Sequence, residues 1–216
     1  MLHVCMGNIC RSPMAERLLV QAARQRLAAL DPATDLGTLL ISVSAGTGGW
    51  HEGEEMNPPA ARQLRQRGAD PDGFAARKLT SGHLHDADLI LTATADQSDY
   101  VQALLPDAAG HTFVLGHFGR LLRELKTGAL PAAGTDPAAF TLRASALVEA
   151  ADQLRAGTEP LPGDDLDDPW GRGDQTFQRI ADDIDETVYA LVDTLLPVVH
   201  RPAGPGVAGP GVAGPA

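Results

Sequence analysis

The sequence predicts an α/β fold: a doubly wound four-stranded parallel sheet with helices on both faces, plus a helical insertion in the second half of the chain. Three observations predict it. Short apolar runs alternate with helical patterns, the mark of successive βαβ units. Met1 to Pro13 compress one such junction into an apolar strand, a small loop and a helix start. The 216 residues, 44% hydrophobic and 21% charged, suit one sizeable core and little more.

The elements follow in order. Leu2–Cys5 reads as the first strand. A helix runs from Pro13 to Leu30, with Ser12 as N-cap and Pro13 at the first position, where no N–H is needed. Asp31-Pro32 ends it. Leu39–Ala45 is the second strand. Pro59–Arg67 is a helix stopped by Gly68. Ala87–Thr94 is a buried apolar strand, and Asp96–Leu105 is a helix that starts from an acidic residue. His111–Leu115 is the fourth strand. Phe118–Lys126 and Pro137–Ala156 read as the helices of the insertion. Asp174–Leu195 is a long helix, with Phe177, Ile180, Ile184, Val188, Leu191 and Leu195 at helical spacing.

The first junction carries chemistry. A loop that leaves a strand and enters a helix turns its N–H groups inward as an anion nest, and the helix adds its positive end. Here the loop runs from Cys5 to Arg11. Gly7 permits unusual backbone angles, and Asn8 tolerates a left-handed one. Arg11 offers a planar fork for two phosphate oxygens. Cations and helix N-termini favour the nucleophilic thiolate of a cysteine. A cysteine and an arginine at this spacing are a weak signal alone, because cysteine is most often a small buried hydrophobe. Strand, glycine, asparagine and Ser-Pro together make it strong.

Val4-Cys5-Met6-Gly7-Asn8-Ile9-Cys10-Arg11-Ser12-Pro13 resembles the phosphate-binding loop of the low-molecular-weight protein tyrosine phosphatase family at every position. Ile41 to Thr47, followed by Trp50, resembles that family's second strand and the wall of its substrate cleft. Asp168-Pro169-Trp170-Gly171 resembles its general-acid loop. The resemblance implies hydrolysis of protein phosphotyrosine through a phosphocysteine. Cys5 would be the nucleophile and Arg11 the phosphate clamp. Asp168 would act as acid and then as base, with Asp167 as the fallback. Met6, Gly7, Asn8, Ile9, Cys10, Arg11 and Ser12 would line the phosphate. Asn8, Ser12 and Ser44 would brace the loop, and Trp50 and Trp170 would flank the phenyl ring. The family often has a histidine brace where this chain has Phe74, which leaves the bracing network shorter or rebuilt.

Other readings share the motif. Thioredoxin-coupled arsenate reductases on this fold need further distal cysteines, and this chain has only two, although reductases that use a small-thiol partner escape that objection. Protein-arginine phosphatases tend to carry threonine where this chain has Ile9. A non-catalytic phosphopeptide-binding module would need neither nucleophile nor acid. Cys5 and Cys10 could form a reversible disulfide, or Cys10 could simply pack beneath the loop.

Composition narrows the partners. A net charge of −11 argues against nucleic acid and anionic membranes as partners. Phosphotyrosine-containing proteins are the expected partners. No signal peptide or membrane span is read, and two loop cysteines suit a reducing cytoplasm. The histidines show no metal-ligand spacing, and no cofactor is expected. Residues 1–200 read as one phosphatase domain with an insertion at about 119–164. The Ala/Gly/Pro/Val tail at 201–216 reads as disordered.

Overall fold

The computed structural model describes residues 1–158 and 160–198. The tail lies outside the described residues. Strands β1 (Leu2–Cys5), β2 (Val43–Gly46), β3 (Ile90–Thr92) and β4 (Thr112–Val114) form one sheet in the order β2-β1-β3-β4. All its pairings are parallel, with Leu2 opposite both Val43 and Ile90. The expected fold is therefore the observed one. β1 is central, so both of its edges are hydrogen-bonded and its end is held firmly.

Helices cover both faces. α3 (Ser81–His85) and α4 (Ala95–Leu104) contribute Leu84 and Val101 to a smaller core, which Leu2, Val4 and Ile90 share. α1 (Arg11–Leu30), α2 (Pro58–Gln66), α5 (Leu115–Glu124), α6 (Pro137–Arg155) and α7 (Asp174–Leu195) build the larger core. Cys5, Leu91 and Phe113 face it from the sheet. Along β1 the side chains alternate between these cores, as the two-residue period requires.

Several boundaries differ from expectation. β2 starts at Val43 rather than Leu39, because a 3-10 turn occupies Leu36–Thr38 and Ile41 is exposed. β3 starts at Ile90, after α3 has used Leu84. The five-residue α3 has too short a pattern to be read in the sequence. α1 begins at Arg11 with Cys10 at the cap position, and no side chain caps it there. Ser12 is thus not the N-cap; its hydroxyl is engaged elsewhere. α7 has the predicted bounds.

The insertion does not begin cleanly at 119, because α5 spans Leu115–Glu124. α6 is capped by Asp136, which accepts from the Ala139 N–H at 3.0 Å. It buries Phe140, Leu147 and Ala151 against the larger core. Arg143 Nε donates to the Thr194 carbonyl at 2.8 Å, and the Arg155 guanidinium lies 4.5 Å over the Phe113 ring. α6 is therefore bolted to the body of the domain rather than hung from its surface.

His3 lies buried in β1, two residues before Cys5, with Nε2 3.2 Å from the Ser42 hydroxyl. Burial, helped by the N-terminal ammonium, pushes its pKa down to about 3. An unfolded histidine takes a proton near pH ~6.5. The folded state resists it, so stability falls as pH drops through ~6.5 toward the folded value. Between pH ~6.5 and ~5, where few carboxylates titrate, denaturant midpoints of the parent should fall with pH more than those of His3→Leu. Parallel midpoints across that window would exclude His3 as the cause.

Candidate active site

The loop from Cys5 to Arg11 turns on Asn8, the one described non-glycine residue with a left-handed backbone, at φ 54°. That turn aims the Asn8 N–H at Cys5 Sγ, 3.3 Å away. The buried Asn8 side chain then holds the loop from inside. Its Oδ1 accepts from the Arg77 backbone N–H at 2.8 Å. Because the oxygen faces that donor, Nδ2 faces the serines, donating to Ser12 Oγ at 2.9 Å and to Ser44 Oγ at 2.8 Å. Each hydroxyl then keeps its own proton for another partner. Ser44 donates to Glu16 Oε2 at 2.7 Å. Ser12 Oγ lies 3.0 Å from Cys5 Sγ and 3.5 Å from the Ala45 carbonyl, to which it can donate.

The brace is therefore rebuilt rather than missing. Phe74 is buried in the larger core. Glu16 and the Arg77 main chain complete the network instead. Glu16 escaped the sequence reading, although it sits four residues after Ser12 on the buried face of α1. Burial pushes its carboxyl above the ordinary range, against the pull of the Ser44 hydroxyl, Arg17 and Arg77. The end of β2 closes tightly on the loop. A Cβ on Gly46 would lie 2.7 Å from the Met6 carbonyl oxygen.

Arg11 is buried at the start of α1. Its Nη1 donates to the Leu166 carbonyl at 3.1 Å, and Nη2 lies 3.5 Å from Asp168 Oδ1. Its Nε is buried with no partner among the described residues. An open donor on a loop of inward N–H groups is what a phosphoryl oxygen would satisfy. Cys10 is buried beneath the loop. Burial first, then the charges of Cys5 and Asp168, push its thiol up to about 12. It stays protonated and packs. Both cysteines are unpaired.

A cleft of about 170 Å³ opens above Cys5. Met6, Gly7, Ile9, Cys10 and Arg11 form its floor, and Trp50, His51, Asp168 and Trp170 form its rim. Trp50 is 71% exposed and Trp170 57%, so neither is a packing residue. Trp50 folds across Gly48, where a Cβ would lie 1.9 Å from its ring. His51 stacks obliquely on Trp170, with centroids 5.3 Å apart, and its Nδ1 pairs with Glu54 Oε2 at 2.8 Å. No sequence signal pointed to His51. Ser44 lies outside the cleft, supporting the loop from behind. Asp167, the fallback acid, is paired with Arg179 at 2.5 Å and is absent from the cleft lining.

Asp168 reaches this cleft because the loop before it is fastened in sequence. Asp164 takes a two-pronged bond from Arg120, at 2.7 Å to each oxygen. Burial opposes the Asp164 charge, but Arg120 and the Leu161 N–H outweigh it and hold the carboxyl below the usual range. Asp165 accepts from the Ala95 N–H at 2.9 Å. The Leu166 N–H reaches the Ala93 carbonyl at 2.8 Å.

A cysteine at the carboxyl end of a central parallel strand, an arginine-closed anion loop and a carboxylate across the cleft suit a phosphatase. Similarity to known proteins agrees. The family model for low molecular weight phosphotyrosine protein phosphatase matches residues 1–129. Low molecular weight protein-tyrosine phosphatase A of Mycobacterium tuberculosis is 32% identical over 197 residues, covering 91% of this chain and 86% of that protein. A low molecular weight protein-tyrosine-phosphatase of Streptomyces coelicolor is 40% identical over 103 residues, 48% of this chain and 57% of that one. In fold, the chain is similar to a protein tyrosine phosphatase of Entamoeba histolytica, with a TM-score of 0.60 at 20% identity, covering 90% of this chain and 94% of that one. It is also similar to the YwlE arginine phosphatase of Geobacillus stearothermophilus, with a TM-score of 0.56 at 23% identity and 90% of each chain covered. The chain belongs to the low molecular weight phosphotyrosine protein phosphatase family.

Asn8→Ala should test the brace. It strands two hydroxyls and one N–H in a buried site and leaves alanine at a left-handed angle. The expected loss is about 3 kcal/mol of unfolding free energy, by urea titration, with loss of phosphate-analogue binding. A loss under about 1 kcal/mol, with binding intact, would show that the loop holds its shape without the amide.

Proposed function

We propose that this protein hydrolyses phosphotyrosine in proteins through a phosphocysteine intermediate. The observation that carries this reading is convergence: Cys5, Arg11 and Asp168 line one cleft, although Arg11 and the acid loop are 155 residues apart where they bond. In the first half-reaction, the Cys5 thiolate attacks phosphorus while Arg11 and the loop N–H groups hold the equatorial oxygens. The bond to the tyrosyl oxygen breaks, and Asp168 gives that oxygen its proton. In the second, Asp168 takes a proton from water as the water attacks phosphorus. The sulfur–phosphorus bond breaks, and the Ser12 hydroxyl stabilises the departing thiolate. One carboxyl serves both steps because each leaves it in the form the other needs. Met6, Gly7, Asn8, Ile9, Cys10, Arg11 and Ser12 contribute to the phosphate cradle in this reading.

Trp50 and Trp170 at the mouth, over an apolar Ile9, suit a flat phenyl ring. We also read residues 1–200 as one catalytic domain. The unpaired Cys5 and Cys10 support a reducing, cytoplasmic setting. Among the described residues, no helix is long and apolar enough to cross a membrane.

Turnover of phosphotyrosine, phosphoarginine and arsenate by the purified protein tests the substrate class, with phosphotyrosine expected to lead. A clear preference for either of the others would overturn the assignment. Cys5→Ser should abolish turnover, and rapid quench of the parent should trap phosphate on Cys5. Asp168→Asn should slow hydrolysis of phenyl phosphate roughly 10²–10⁴-fold. Full activity in either variant would refute the corresponding role.

A further inference from the structure

The segment between α5 and the acid loop has no part in the chemistry described so far, yet its two ends are joined. Arg120 stands on α5, just before it, and Asp164 at its end, 44 residues apart. The acid loop has other ties, and they are unequal. The Asp167–Arg179 pair is half exposed on both sides, and such pairs contribute little. Asp165 accepts a single N–H at an exposed position. The Asp164 side chain is only 5% exposed. Both of its oxygens take an Arg120 N–H, and Oδ2 also takes the Leu161 N–H at 2.6 Å. Its main chain is wedged as well: a Cβ on Gly116 of α5 would lie 2.5 Å from the Asp164 carbonyl oxygen. Two residues further on, the Leu166 carbonyl meets Arg11, and two beyond that stands Asp168.

We propose that the Arg120–Asp164 pair is a latch that sets the position of Asp168, making both of them positioning residues for protonation of the leaving group. The inference rests on Asp168 being the general acid. A two-pronged, buried ion pair fixes both place and direction where a single exposed contact fixes neither. With the latch intact, Leu166 is delivered to Arg11 and Asp168 to the cleft rim. Without it, the loop keeps its exposed ties and the Leu166 bonds to Ala93 and Arg11, but loses the two-pronged side-chain anchor that fixes the direction in which the chain approaches Asp168. Proton transfer in the transition state is sensitive to such displacements. The inserted segment thereby gains a role in the chemistry, because it closes a loop whose junction holds the acid.

A purely structural role would slow all substrates alike. A positioning role would not, because a poor leaving group needs the acid and a good one does not. The test is kcat/KM for a series of aryl phosphates, from phenyl phosphate to nitro-substituted esters. Two variants suit it. Arg120→Lys keeps the charge and loses the fork. The double variant Arg120→Met with Asp164→Leu removes both charges of the pair together, so neither is left buried without the other. Both should lose roughly 10-fold on phenyl phosphate and less than about 2-fold on the nitro esters. Asp168→Asn should give the same trend with leaving group, but more steeply. Equal losses across the series, or none, in a variant with the parent's near-ultraviolet dichroism would overturn the latch. If Asp168→Asn itself shows no dependence on leaving group, the assignment of the acid fails, and the latch with it.

Discussion

The left-handed turn at Asn8 is the constraint on which the site depends. A loop only a few residues long must present its N–H groups to one point, and that requires one residue with positive φ. Glycine would supply the angle but nothing else. Asparagine supplies the angle and a side chain with two donors and an acceptor, all used here. The bonds also have a direction. With both amide hydrogens committed to hydroxyls, the Ser44 proton runs outward to Glu16, and the Ser12 hydroxyl sits against the Cys5 sulfur. Shape and proton placement are thus set by the same side chain.

Arg11 joins the two halves of the site. It opens α1, so its backbone belongs to the loop, while its guanidinium holds the carbonyl of Leu166. That contact is buried and neutral on one side, so screening by salt weakens it little. It matters in a chain of net charge −11, where the long-range field repels phosphate. Attraction must come from a few oriented groups at close range, and the fold concentrates them at the end of the central strand.

Most of this was legible in the sequence, for identifiable reasons. β1 and the nest are encoded locally, and α7 repeats its apolar stripe long enough to fix both ends. The shorter strands were overestimated because apolar runs extend beyond paired backbone. Leu39 and Leu40 only lean on the core, and Ile41 faces solvent. Ser12 looked like a helix cap because serine beside proline often is one. Its hydroxyl instead faces the Cys5 sulfur, 3.0 Å away. Phe74 looked like a gap in the brace, since a side chain was expected there. The support came instead from a backbone N–H and from Glu16, and a glutamate on a helix ordinarily reads as solvent-facing. His51 and the ties of Asp164 and Asp165 depend on approaches between distant segments, which no local pattern records.

The chain has two tryptophans, and both stand at the mouth of the cleft, largely open to water. None is spent on packing a core. The indole emission of the whole molecule therefore originates at the mouth of the cleft above Cys5. A change in its colour or intensity reads occupancy of the cleft directly, without a label and without background from the interior.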